Sequence, residues 1–167
     1  FAELKLPVVI KINSRKLLAA LSEICGMPEK MRDITIAMDK LDKIDWVGVA
    51  GELKERGIPD EGIWQIEKVI NVTGNNDEKM AAYADIMQHS TSGIEGINEL
   101  SKTLAYYQQL TGGAGEIASN IVVNISLARG LNYYTGVIVE VVCSHPDVKM
   151  GSIGGGGRYD DLTGLFG

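Results

Sequence analysis

At 167 residues, the chain is long enough for one ordinary domain, or for one small domain and pieces of a second. Its hydrophobic content of 45% and charged content of 23% are typical of a globular protein that packs a core without disulfide or metal staples. The net charge is −6 and the acidic excess falls in residues 14–118, which argues against strong nonspecific binding to a nucleic-acid backbone.

The cysteines and histidines show no pattern of a disulfide framework or a metal site. Cys25 and Cys143 lie far apart in apolar settings, which indicates reduced core thiols in an intracellular protein. His89 and His145 have no partner at ligand spacing and are predicted to be surface residues. No apolar run reaches about 18 residues and no secretory leader opens the chain, so we expect no membrane partner.

The first predicted element is a strand. The run LPVVIKIN, Leu6–Asn13, is almost continuously apolar and rich in β-branched residues, which indicates a strand at the centre of a sheet. Asn13 or Ser14 can then cap a helix that ends at Gly26.

Further helices follow with short turns between them. They are predicted to begin at Pro28, after Asp45, at Pro59, at Asn76 or Asp77, and near Thr91. Because amphipathic helices without a strand signal can bury their apolar stripes only against one another, residues 14–118 are expected to form a small helical domain. We expect Trp46 and Trp64 to anchor its core.

After Gly115 the hydrophobic period changes to that of strands. The segments NIVVNISL, YYTGVIVEVVC and KMGSIGG predict three strands, the last two joined by a loop around Pro146. If they share a sheet with the first strand, the helical block is an excursion from that sheet. The predicted fold class is therefore α+β.

Two strings in this last part carry the chemistry. LARGLNYYTG, Leu127–Gly136, and GSIGGGGRYDDLTG, Gly151–Gly164, each combine an arginine with tyrosine and with glycines that let a ligand approach the backbone. This combination is typical of a site for an anionic, aromatic or polar small molecule. A run of four glycines also occurs in flexible loops, but its continuation into Arg158, Tyr159 and Asp160 makes the pattern specific.

The two strings resemble the signature motifs of the histidyl-tRNA synthetases, a family of class II aminoacyl-tRNA synthetases. The resemblance extends more weakly to VVIKINSRKLL near the start, and so it covers the whole chain but only a central slice of such an enzyme. It implies a class II antiparallel catalytic sheet interrupted by an all-α insertion domain. Residues 1–13 would be a catalytic-domain strand, residues 14–118 the insertion, and residues 119–167 a further part of the catalytic domain.

The resemblance also implies a reaction and its residues. Members of the family, ligases of protein biosynthesis, join histidine to ATP as histidyl-adenylate and then transfer it to tRNA. Arg129 would be catalytic, stabilising charge on the α-phosphate with its rigid guanidinium. The residues implied to bind histidine or the adenylate are Tyr133, Tyr134, Gly155, Gly156, Gly157, Arg158 and Tyr159. We expect Tyr134 to meet the imidazole, because alternation along a regular strand sends Tyr133 to the other face.

Substrates and partners follow from the same resemblance. The intact enzyme would use ATP with Mg²⁺, histidine and histidine tRNA, and would be a homodimer in the cytoplasm, with a mitochondrial pool also compatible with the family. The class II motifs that clamp ATP are absent from the 167 residues, and no metal ligands are indicated. We therefore interpret the chain as part of a larger enzyme and expect it to be inactive and to bind no cofactor alone.

Some residues depart from the family pattern and leave an alternative open. Asn132 stands where the first motif usually has aspartate, and Asp161 where the second often has glycine. A noncatalytic relative, either a regulatory subunit or a tRNA-sensing domain, is thus the alternative function, although such relatives usually lose the arginine or the tyrosines. Arg158 could also simply bridge a carboxylate such as Asp160 or Glu140.

Overall fold

A computed structural model describes residues 6–111, 120–129, 133–148, 150–160 and 164. In this described part of the chain, six α-helices stand between the first and second of four strands in chain order. The elements are β1 (Val8–Ser14), α1 (Arg15–Ile24), a 3₁₀ helix (Pro28–Lys30), α2 (Met31–Met38), α3 (Trp46–Glu55), α4 (Asp60–Ile70), α5 (Asn76–Ile86), α6 (Thr91–Thr111), β2 (Ile121–Val123), β3 (Val137–Cys143) and β4 (Ser152–Gly157). The α+β class predicted from the sequence is confirmed.

The four strands form one sheet in the order β2-β1-β3-β4. The pairs β1–β3 and β3–β4 are antiparallel, as expected, whereas β1 and β2 run parallel, so the sheet is mixed. A parallel pair needs a crossover connection, and the helices α1 to α6 provide it between β1 and β2.

Helix boundaries follow local capping chemistry. The Ser14 hydroxyl accepts a hydrogen bond from the Lys16 amide at the start of α1, and the Asp45 carboxylate accepts one from the Gly48 amide at the start of α3. Helix α5 begins one residue earlier than Asp77 would place it, because Asn75 forms a capping box with Glu78.

One continuous core joins the helices to the sheet. Leu17, Leu18 and Leu21 of α1 are fully buried, and they belong to the same apolar cluster as Ile12 of β1. Helix α6 comes very close to α1, since a Cβ atom placed on Gly96 would lie 2.9 Å from the Leu17 Cγ atom. The helical part is therefore packed directly on the strand that precedes it.

The prediction that Trp64 anchors the core is wrong. Its side chain is 49% exposed, and the Lys68 ammonium lies 3.1 Å from its ring centroid. Helix α4 buries Ile66 and Val69, and Trp64 projects from another side of the helix because it precedes Ile66 by only two residues. Trp46 is half-buried and packs against the core.

Side chains of α5 cover the outer edge of β2. The Asn76 amide donates to the Ile121 carbonyl at 2.8 Å and accepts from the Val123 amide at 2.9 Å. The Lys79 ammonium adds a bond to the Val123 carbonyl at 3.2 Å. These side chains satisfy backbone groups that a neighbouring strand would otherwise pair.

Both cysteines are free thiols, and each is half-buried. Burial raises the pKa of Cys25 to about 12. Within the described ranges, no helix has the length and apolarity to cross a bilayer. The same residues contain no cluster of three or more metal-ligating side chains of the His, Cys, Asp and Glu type.

Candidate active site

The tetraglycine forms most of strand β4 and is paired with β3. Gly155 lies opposite Glu140, and Gly157 lies opposite Ile138. Because alternate residues of a strand share a face, the Cα atoms of Gly155 and Gly157 present bare backbone on one side of the sheet.

Arg129 and Tyr134 lie against these two glycines. A Cβ atom on Gly155 would be 3.0 Å from the Arg129 Nε atom, and one on Gly157 would be 2.7 Å from the Tyr134 Cγ atom. Such separations are too short for a side chain at either position without movement of its neighbour. The structure therefore brings Arg129 and Tyr134 together over the same face of β4.

The buried side chain of Asn13 holds the segment that leads to Arg129. Its amide nitrogen donates to the carbonyls of Ile125 and Leu127, at 3.0 Å and 2.9 Å. Leu127 and Ala128 are buried as well, so the chain is anchored up to the residue before Arg129. These hydrogen bonds therefore attach the backbone next to Arg129 to β1.

The Arg129 guanidinium is held at one nitrogen by two residues. Nη1 donates to the Glu140 carboxylate and to the Ser152 hydroxyl, each at 2.6 Å. The Arg129 side chain is 45% exposed, whereas that of Glu140 is only 17% exposed. Glu140 is thus the partner of Arg129, and the alternative pairing of Glu140 with Arg158 is wrong.

A cleft of about 450 Å³ opens beside Arg129. It lies between the sheet and the turn that follows α2, and its walls include Lys11, Asp42, Ser126, Arg129 and Glu140. Lys11 and Asp42 form an ion pair at 2.9 Å across it. Polar and charged side chains of both signs therefore surround the space next to the arginine.

Three tyrosines gather near Gly157, the glycine against which Tyr134 lies. The ring centroid of Tyr133 lies 4.3 Å from that of Tyr134, edge to face, and 6.1 Å from that of Tyr159. A hydrogen bond with Tyr133 is the main cause that raises the pKa of Tyr134, and the charge of Arg129 opposes it. The cluster therefore couples the two signature motifs through aromatic contacts.

The alternation rule does not determine the orientations of Tyr133 and Tyr134. Strand β3 begins only at Val137, so neither tyrosine has the regular geometry on which the alternation rule depends. Tyr134 packs against the core, while Tyr133 is 50% exposed.

The Arg158 guanidinium faces different partners from Arg129. Its Nε atom donates to Asp160 at 2.7 Å, as the carboxylate alternative predicted, and its Nη1 atom lies 3.4 Å from Glu99 of α6. Arg158 follows Gly157, the last residue of β4. The structure does not bring the guanidinium of Arg158 to that of Arg129.

Thr135 joins the two motifs through hydrogen bonds that the sequence did not predict. Its hydroxyl donates to the Asp160 carboxylate at 2.7 Å, and its amide donates to the Arg158 carbonyl at 2.8 Å. Bonds from Thr135 and Arg158 lower the pKa of Asp160. Asn132 and Asp161, which depart from the family pattern, lie outside the described residues.

The sequence of this chain is similar to those of curated histidine–tRNA ligases. A curated histidine–tRNA ligase of Christiangramia forsetii is 46% identical over 160 residues, which cover 96% of this chain and 34% of that protein. One from Phocaeicola vulgatus is 44% identical over 167 residues, which cover all of this chain and 35% of that protein. The chain thus spans about a third of the length of the curated relatives it matches.

Solved structures and a family model agree with these relatives. The crystal structure of histidyl-tRNA synthetase from Nostoc superposes with a TM-score of 0.85 at 28% identity, over 96% of this chain and 37% of that one. The model of the family described as histidyl-tRNA synthetase matches residues 2–167. The chain therefore belongs to the histidyl-tRNA synthetase family.

Proposed function

We propose that the protein of which this chain is a part is a histidine–tRNA ligase. The histidine carboxylate attacks the α-phosphorus of ATP, and the bond to pyrophosphate breaks, which leaves histidyl-adenylate. A hydroxyl of the terminal ribose of the tRNA then attacks the histidyl carbonyl and releases AMP. The observation that carries this proposal is the convergence of Arg129 and Tyr134 over Gly155 and Gly157.

Arg129 is proposed to stabilise the transition state of the first step. Negative charge grows on the α-phosphate oxygens as the pentavalent arrangement forms, and a planar guanidinium can meet two oxygens at once. Among the described residues, the hydrogen bonds of this guanidinium use only Nη1, and the side chain is half-exposed. Nη2 and Nε are then donors available to a phosphate.

The tyrosine cluster is proposed to select the histidine side chain. A phenol hydroxyl can donate to or accept from an imidazole nitrogen, and a site built for such a bond rejects analogues that lack the partner atom. Tyr134 is the proposed contact because it lies on the Arg129 side of β4, with Tyr133 and Tyr159 beside it. The backbone of Gly155, Gly156 and Gly157 is proposed to line the floor.

Arg158 is proposed as a further substrate contact. Its guanidinium would have to give up Glu99 or Asp160 to reach a ligand. Since both ion pairs are largely exposed to solvent on the Arg158 side, such an exchange costs little.

The remaining assignments concern the whole protein. We propose ATP with Mg²⁺, histidine and histidine tRNA as its substrates, a homodimer as its assembly, and the cytoplasm, with a mitochondrial pool where one exists, as its location. Residues 14–118 are proposed as the insertion domain between a catalytic strand at residues 1–13 and catalytic residues 119–167. Because the ATP-clamping motifs of the class are not among these 167 residues, we propose that the chain alone is inactive and binds no ATP.

Pyrophosphate exchange by the full-length protein tests this function. We expect Arg129→Ala to reduce histidine-dependent exchange by at least about 100-fold, the usual loss when an oxyanion donor is removed, while histidine binding changes little. Arg32→Ala, at an exposed position of α2, is the matched control and should retain the wild-type rate. A wild-type protein without exchange activity would favour the noncatalytic alternative, and an unimpaired Arg129→Ala would refute the role of Arg129.

A further inference from the structure

Glu140 holds the arginine of the proposed active site from inside the sheet. It lies on the central part of β3, opposite Lys11 on β1 and Gly155 on β4. Directly opposed residues project to the same face, so the Glu140 carboxylate rises beside the glycine against which Arg129 lies. Its charge-assisted hydrogen bond to Arg129 Nη1 is 2.6 Å long, slightly shorter than the roughly 2.7–2.9 Å usual for such bonds.

Lys11, the other cation next to Glu140, is engaged elsewhere. Although Lys11 is the cross-strand neighbour of Glu140, its ammonium forms an ion pair with Asp42 at 2.9 Å. Asp42 lies in the turn after α2 and draws the lysine toward the helical part. The Glu140 carboxylate therefore has Arg129 as its ion-pair partner among the described residues.

Ser152 binds the same nitrogen of Arg129, Nη1, as Glu140 does. The hydroxyl of Ser152 accepts from Arg129 Nη1 at 2.6 Å and donates to the Gly154 carbonyl at 3.0 Å, so its orientation is itself fixed by β4. Two acceptors on one nitrogen determine the plane of the guanidinium, because that group is rigid and its donors have a fixed geometry. The plane then decides where Nη2 and Nε point.

We propose that Glu140 is a positioning residue for Arg129, with Ser152 as its neutral assistant. It does not touch the substrate. It orients Nη2 and Nε of the guanidinium toward the α-phosphate. Less free energy is then needed to orient the arginine during the reaction. This inference rests on the proposed function, because that function supplies the phosphate that Arg129 contacts.

The test uses Glu140→Gln in the full-length protein, a change that keeps size and an acceptor oxygen but removes the charge. We expect kcat for pyrophosphate exchange to fall about 10- to 100-fold, because a misplacement of roughly 1 Å costs on the order of 100-fold. KM for histidine and the midpoint of thermal unfolding should stay close to wild type. Ser152→Ala should give a smaller loss of kcat with the same pattern.

Two comparisons separate positioning from a general structural role. In an Arg129→Ala background, adding Glu140→Gln should cause no further loss of kcat, because residues that act through one another are not additive. Glu95→Gln, which removes the charge of an exposed carboxylate paired with Lys16 at 2.9 Å, should leave kcat within about twofold.

The outcomes also separate this inference from the proposed function. If Arg129→Ala abolishes exchange but Glu140→Gln has wild-type kcat, Glu140 does not position the arginine and only this inference fails. An additive loss in the double variant leads to the same conclusion. If Arg129→Ala leaves exchange intact, the proposed function of Arg129 fails first. Should Glu140→Gln unfold the protein, the Ser152→Ala result and its double variant with Arg129→Ala decide in its place.

Discussion

The carboxylate of Glu99 on α6 lies 3.4 Å from the guanidinium of Arg158, directly after the tetraglycine. The same carboxylate accepts a 2.7 Å hydrogen bond from Ser14, the residue that caps α1. Only 13% of the Glu99 side chain is exposed. A single carboxylate therefore connects the helical part, the first strand and the second signature motif.

Replacing Glu99 should weaken this connection measurably. We expect Glu99→Ala to lower the free energy of unfolding by about 1–2 kcal/mol, mainly because the Ser14 hydroxyl loses a charged acceptor. The Arg158 part of the loss is discounted because that guanidinium is solvent-exposed. Urea unfolding measures the change, and Glu95→Ala, one turn earlier on α6, should cost no more than about 0.5 kcal/mol. Equal losses in the two variants would contradict the assignment.

Gly157 should tolerate no side chain. A Cβ atom there would stand 2.7 Å from the base of the Tyr134 ring, which cannot yield as the end of a flexible side chain would. Overpacking of this kind typically costs 1–3 kcal/mol, so we expect Gly157→Ala in the full-length protein to raise KM for histidine on the order of tenfold or more. Gly151→Ala is the control, because nothing lies within 4 Å of its added Cβ. Steady-state kinetics with varied histidine measure KM, and an unchanged KM in Gly157→Ala would contradict this prediction.

The amide of Asn76 should stabilise the edge of the sheet. Asn76→Ala removes the bonds to the Ile121 carbonyl and the Val123 amide, and leaves both half-buried backbone groups without this partner. We expect a loss of about 1–3 kcal/mol in urea unfolding. Asn71→Ala, at the exposed end of α4, serves for comparison and should change stability little. A loss as small as that of Asn71→Ala would mean that the edge bonds contribute nothing.

Burial of Cys25 should make stability depend on alkaline pH. A thiol whose folded pKa is about 12 stabilises the fold fully below the unfolded pKa of about 8.5, and this contribution is lost as the pH rises toward 12. Wild type should therefore lose more unfolding free energy between pH 8 and pH 10.5 than Cys25→Ala does. Parallel slopes for wild type and Cys25→Ala would show that Cys25 ionises freely in the folded state.

Local signals in the sequence predicted most of the fold. Capping at Ser14 and Asp45 depends on hydrogen bonds within three residues, so the sequence contains the whole interaction. The parallel pairing of β2 has no such signal, because it depends on where the helical block returns the chain. Trp64 was misjudged since hydrophobicity alone does not say which side of α4 faces the core.

The candidate site, like the fold, was predicted from the sequence only in part. The two motifs identified Arg129 and Tyr134 through their resemblance to a family, and the structure brings the two side chains to one face of β4. Glu140 was considered as a partner of Arg158 and not of Arg129, and Glu99 was missed as a partner of Arg158. Glu99 is 59 residues from Arg158 in the chain, and a contact over such a separation leaves no local pattern. The alternation argument did not apply to Tyr133, because β3 starts at Val137, four residues further along the chain.

The two carbonyls bound by the Asn13 amide are 112 and 114 residues further along the chain. A ribosome therefore has to synthesise the entire run of helices before this asparagine can meet its partners. Helices form early from local contacts, whereas sheet closure across such a distance is slow. In the nascent polypeptide, the segment before Arg129, the proposed catalytic residue, would thus be bound to β1 only after the whole helical block has been synthesised.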